Sequence, residues 1–216
     1  MSKVFLSVAS HYERFGPLSL PAYLRAEPYA SRVVVTVGPD HGAASKYLGS
    51  LSAIPPDAWI FVGDDDQEYR PGLVAQMLAA TAQSGEAAAY QNNLGSIRAW
   101  CDAGRPNDGG PVRGYVGLLV HASLLADLPA FPLPSAGRVA DDQWMSAYLF
   151  LRGAPVLPAG AEGYAQVFRG ARGSGSRALE HVGGRAERVR ELEAVFRVRF
   201  EGWRVRRWRT GEWDAR

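Results

Sequence analysis

Over the first half of the chain, short β-branched runs alternate with apolar stripes at helical spacing. Val4 to Val8, Arg32 to Val37 and Trp59 to Val62 read as strands, rich in Val, Ile and Phe. Leu18 to Leu24 and Ala43 to Leu51 read as helices between them, the second closed by Pro55-Pro56. Pro71 opens a further helix, since proline is tolerated at the first helical position. Its inward stripe is Leu73, Met77, Leu78 and Ala80. Strand, helix, strand, helix, strand is the pattern of a parallel α/β sheet. Ligands of such sheets bind at the carboxyl ends of strands. The loop Ser10-His11-Tyr12-Glu13-Arg14, the turn Gly38-Pro39-Asp40-His41-Gly42 and the triplet Asp64-Asp65-Asp66 all follow predicted strands.

The second half patterns differently. Ala87 to Tyr90 and Gly114 to His121 are candidate strands, separated by a Gly/Pro/Asp-rich loop over 102–111. Trp144, Met145, Tyr148 and Leu149 follow Asp141-Asp142 at helical spacing. Residues 169–176, Arg-Gly-Ala-Arg-Gly-Ser-Gly-Ser, read as a mobile loop. From Arg185 to about Phe200 a helix is expected, with Val189, Leu192, Val195, Phe196 and Phe200 on one side. The reading is one domain with a first half over about 1–110, a second over about 111–185, and a terminal helix and tail over 186–216.

Composition narrows the class. At 216 residues the chain can bury roughly 70% of its unfolded surface. A single cysteine, Cys101, excludes a disulfide framework or zinc cage within one chain, which suits a reducing, cytoplasmic setting. No apolar run reaches the roughly 20 residues needed to cross a bilayer, and the apolar start is too short and too β-branched for a signal peptide. Residues 1–150 hold 10 basic and 14 acidic side chains, against 14 basic and 8 acidic over 151–216. The acidic part suits a cation. The basic part suits phosphate, an acidic partner or a membrane surface.

Three adjacent aspartates after an apolar strand repel one another unless a cation or solvent relieves them. In an extended chain Asp64 and Asp66 share a face and can converge on one hard cation, Mg²⁺ or Mn²⁺. The competing reading is a surface turn or helix start, where aspartate is common.

Together these pieces resemble the small GT-A-type glycosyltransferases, which use a nucleotide-diphosphate sugar. Phe61-Val62-Gly63-Asp64-Asp65-Asp66-Gln67-Glu68-Tyr69 looks like their D-x-D region. Gly114-Tyr115-Val116-Gly117-Leu118-Leu119-Val120 looks like the small-residue strand behind the acceptor cleft, and Asp141-Asp142-Gln143-Trp144 like the acidic pair opening the acceptor-side helix. The resemblance covers about residues 1–185. It implies a GT-A-like, Rossmann-type α/β fold with a mostly parallel, mixed central sheet flanked by helices in a single domain.

It also implies roles. Asp66 would ligate the metal, with Asp64 as companion ligand or ribose partner and Asp65 on ribose or sugar. Ser7, Ser10 and Tyr12 would meet the nucleoside, Asp40 the base, and Lys46 the base or a phosphate; the donor is expected to be a UDP-sugar. Asp142, then Asp141, would take the proton of the acceptor hydroxyl in an inverting transfer, although an aspartate pair can equally serve only as a helix start. His181 would be a late metal ligand or a surface histidine. Arg169, Arg172 and Arg177 would close over the diphosphate or stay solvated. The acceptor would be a glycan, a lipid-linked or a small-molecule hydroxyl.

The tail Trp203-Arg204-Val205-Arg206-Arg207-Trp208-Arg209 packs back on the domain or lies at an anionic membrane surface. A cytoplasmic protein peripheral to a membrane is therefore expected, and nucleic acid is not, because the whole chain is not strongly basic. Two other classes compete. A sugar-nucleotide pyrophosphorylase needs a glycine-rich loop after the first strand, whereas Ser10 to Gly16 holds one glycine. A non-enzymatic binding module stabilised by a divalent ion predicts no nucleotide affinity.

Overall fold

The computed structural model describes residues 3–13, 16–65, 67–82, 88–90, 112, 114, 117–152, 154, 156–158, 164–166 and 184–198. Two compact units divide at the diproline, Met1–Pro55 and Pro56–Arg216.

In the first unit β1 (Val4–Ala9) pairs in parallel with β4 (Val33–Gly38), from Val4 opposite Val33 to Ala9 opposite Gly38. Only Ala9 of the two strands is fully buried, and Val4 is 60% exposed. The expected helix over Leu18 to Leu24 is a correction. The chain after β1 makes a small antiparallel hairpin, β2 (His11–Tyr12) with β3 (Gly16–Pro17). The Leu18 N–H is spent on the Ser10 carbonyl at 3.1 Å, and Pro21 then starts a single 3₁₀ turn, Ala22–Arg25. The helix expected over Ala43 to Leu51 is broken up as well. A 3₁₀ turn, Gly42–Ala44, leads into one α-helical turn, α1 (Ser45–Leu48), and a second 3₁₀ turn, Leu51–Ala53. Ser50, between them, is buried, and its hydroxyl oxygen shares hydrogen bonds with those of Ser7 and Thr36, each at 2.5 Å.

The second unit is built on a four-stranded sheet in the order β5 (Trp59–Val62), β8 (Leu118–His121), β7 (Ala88–Tyr90), β9 (Val156–Pro158). β6 (Gln67–Tyr69) pairs antiparallel with β10 (Tyr164–Gln166). The expectation that β5 continues a parallel sheet with β1 and β4 is corrected: among the described residues β5 pairs with β8, antiparallel, in a separate sheet. Among the described residues two strand pairs are parallel and four antiparallel, so the fold is mixed α/β without a parallel majority.

Helix α2 (Leu73–Thr81) begins two residues after Pro71, because Gly72 adopts a left-handed φ of 83° and turns the chain first. Leu73 and Met77 of α2 pack on Leu119 of β8, with Phe61, Tyr69, Leu78 and Ala80 around them. β8 starts at Leu118 rather than Gly114, since Gly117 at φ 98° closes a turn onto the Gly114 carbonyl. Helix α3 (Asp141–Leu151) is largely buried, with Trp144, Met145, Ala147, Tyr148 and Leu149 all without exposure. The Trp144 indole N–H donates to the Pro132 carbonyl at 2.8 Å, and the Tyr148 hydroxyl to the Leu124 carbonyl at 2.5 Å. Phe131 then stacks on Phe196 of helix α4 (Arg185–Phe196) at 4.6 Å. That helix stops four residues short of expectation, at Arg197, whose φ of 52° leaves helical geometry. Among the described residues no helix is long and apolar enough to cross a membrane.

Candidate functional site

The acidic turn after β5 is built by its neighbours. β5 places Val62 in the core and leaves Asp64 half-buried and Asp65 exposed. The Gln67 N–H reaches back to the Asp64 carbonyl at 3.4 Å, which puts Asp64 and Asp65 in a tight connection from β5 to β6. Tyr69 closes this connection. Its hydroxyl oxygen accepts the Asp64 N–H at 2.9 Å, and its ring meets Phe61 edge-on at 5.0 Å. Glycine is needed at two points beside these rings. A Cβ on Gly63 would lie 2.6 Å from the Tyr69 hydroxyl, and one on Gly117 would lie 2.8 Å from the Phe61 ring.

A second acidic group opens α3. Ala140, not an aspartate, occupies the cap position, and Asp141 and Asp142 sit in the first turn, where carboxylates favour the positive end of the helix dipole. Asp141 is buried. Asp142 Oδ1 accepts the Gly114 N–H at 2.7 Å. The Ser146 hydroxyl donates to the Asp142 carbonyl at 2.6 Å and accepts the Val112 N–H at 2.8 Å. So the start of α3 holds the described residues ahead of β8 by their backbone.

The residues expected to meet a nucleoside all lie in the first unit. Ser7 belongs to the hydroxyl chain with Ser50 and Thr36, and a Cβ on Gly49 would come within 2.7 Å of Ser7 Cβ. Ser10 is exposed at the end of β1, and Tyr12 is half-buried on β2. Asp40 joins two loops, accepting the Glu13 N–H at 3.1 Å through Oδ2 and the Gly42 N–H at 2.7 Å through Oδ1. Lys46 Nζ stands 5.5 Å from the centre of the Tyr47 ring. Asp66, His181, Arg169, Arg172, Arg177, Cys101 and the tail from Trp203 lie outside the described residues.

Among the described residues no group of three His, Cys, Asp or Glu side chains is placed to hold a metal. The donor chemistry of Asp64 and Asp65 still fits a small hard cation. Mg²⁺ usually keeps several waters and takes only one or two carboxylates besides substrate phosphates. Tyr69, Ser146, Ser50 and Thr36 are the site-building residues that sequence reasoning missed. The one signal for Tyr69 was its place at the end of a short polar–aromatic run after the aspartates. Compared with protein-family models, curated proteins and solved structures, the chain matches none of them.

Proposed function

We propose that the protein is a metal-dependent glycosyltransferase that moves a sugar from a nucleotide-diphosphate donor, a UDP-sugar, to a hydroxyl acceptor. The observation that carries this reading is the acidic turn: an apolar strand delivers Asp64 and Asp65 into a turn whose backbone is held by Tyr69. A second acidic pair, Asp141-Asp142, opens a buried helix in the same unit. The GT-A resemblance supplies the rest, including the nucleoside roles of Ser7, Ser10, Tyr12, Asp40 and Lys46 and a share in metal binding for Asp66 and His181.

In this reading Asp64, with Asp66, holds Mn²⁺ or Mg²⁺, which when bound offsets charge on the diphosphate. The chain's own residues orient and move protons. The acceptor oxygen attacks the anomeric carbon, the bond to the diphosphate breaks, and the acceptor proton passes to the Asp142 carboxylate. The Gly114 N–H on Oδ1 restrains the rotation of that carboxylate, which is what a general base requires of its support.

Titration of UDP, GDP and CMP with and without Mn²⁺, followed by melting temperature, tests the proposal. Stabilisation by a nucleoside diphosphate that requires Mn²⁺ is expected, about 2.7 kcal/mol with ligand at 100 times its dissociation constant. If no nucleotide shifts the melt, the reading fails and a non-enzymatic module takes its place. Response to a nucleoside triphosphate with sugar phosphate, and not to diphosphates, would instead favour a pyrophosphorylase.

A further inference from the structure

Tyr69 stands where one side chain can govern the shape of the acidic turn. Its hydroxyl takes the Asp64 N–H. Its ring fills the space beside the Gly63 Cα, where a Cβ would lie 2.8 Å from two ring carbons. The same ring lies against Phe61 and within reach of Gly117, and it packs on the Leu73, Met77 and Leu119 cluster. β6, which carries Tyr69, is itself paired to β10, with Tyr69 opposite Tyr164. The ring is therefore held from several sides, and the hydroxyl carries that rigidity to one backbone atom of the turn.

We infer that Tyr69 is a positioning residue for cation binding at Asp64. This deepens the proposed function and rests on it. Holding the Asp64 N–H fixes the peptide plane that leads into Asp64, and with it the point from which the carboxylate projects. A ligand side chain aimed beforehand loses less freedom when the cation arrives. Groups that orient a metal ligand commonly change affinity 10- to 100-fold when removed. Tyr69 touches no reacting atom in this scheme; it acts through Asp64.

The experiment compares Tyr69→Phe, Gly63→Ala and Leu78→Ala with the unmodified protein. Tyr69→Phe keeps the ring and removes the acceptor. Gly63→Ala keeps the tyrosine and wedges a methyl group against its hydroxyl, and it decides the matter should Tyr69→Phe fail to fold. Leu78→Ala loosens the same cluster without touching the Asp64 N–H. Two quantities are read: the exchange rate of the Asp64 amide in metal-free protein, and Mn²⁺ affinity in the presence of UDP. Slow Asp64 exchange in the unmodified protein, faster exchange and Mn²⁺ affinity on the order of tenfold weaker in the first two variants, and neither change in Leu78→Ala are expected. Equal affinity in Tyr69→Phe and the unmodified protein overturns the inference and leaves the proposed function standing. An equal loss in Leu78→Ala overturns it too, because packing alone then explains the effect. Absence of Mn²⁺ binding to the unmodified protein defeats the proposed function, and the inference with it, whatever the amide does.

Discussion

Asp142 Oδ1 takes the Gly114 N–H, so any chemistry at this carboxylate begins from a side chain whose rotation is already restricted. Two substitutions separate support from proton transfer. Asp142→Asn keeps an oxygen for the Gly114 N–H but cannot take a proton. It is expected to leave donor affinity unchanged and to lower kcat on the order of 10²- to 10⁴-fold. Transfer at the normal rate in this variant would refute the base assignment. Asp142→Ala removes the acceptor as well and should destabilise the fold by about 1–3 kcal/mol, measured by denaturant unfolding. At this scale the sequence singled out Asp64 and Asp142, but not the partners that hold them. Tyr69 and Gly114 are reached through hydrogen bonds, and hydrogen bonds leave no periodic trace.

Elements were legible where one apolar face repeats. Trp144, Met145, Tyr148 and Leu149 announce α3, and Leu73 and Met77 announce α2, because a buried stripe imposes its spacing on the sequence. The pairing of β6 with β10 was hidden, since three-residue strands joined across a long stretch of chain carry too little pattern to read. The expected helix after β1 failed for a local reason, the capture of the Leu18 N–H by the Ser10 carbonyl followed by Pro21. Gly72 offers a test at this scale. It enters α2 at a φ of 83°, which an L side chain adopts at a cost of about 1–2 kcal/mol. Nothing lies within 4 Å of a Cβ built there, so the strain is not compounded by a clash. Gly72→Ala is expected to lose that amount in urea unfolding. A neutral result would mean that the turn relaxes without loss.

For the whole molecule, mixed α/β character was legible and strand direction was not, because parallel and antiparallel strands carry the same residue types. Stability should respond to alkali through Tyr148. Burial pushes its phenol from 10.0 up to about 12, against a smaller opposing pull from Arg152. Below pH 10 the phenol is protonated whether the chain is folded or not, and its contribution to stability is complete. Between pH 10 and 12 the unfolded chain gives up the proton while the folded one keeps it, so stability falls by about 1.4 kcal/mol per pH unit. The total loss is on the order of 2–3 kcal/mol. Denaturant unfolding from pH 9 to 12 should show a steeper decline for the natural protein than for Tyr148→Phe. Parallel declines would remove Tyr148 as the cause.

The hydroxyls of Ser7, Ser50 and Thr36 have a directional consequence. Each carries one proton. Both contacts in the row are 2.5 Å, and either oxygen of each can be the donor. The line of protons can run toward Thr36, with the third proton on the Leu6 carbonyl at 3.5 Å, or toward Ser7, which then holds the spare proton. Ser7 can thus meet a donor or an acceptor, and reversing the line converts one into the other.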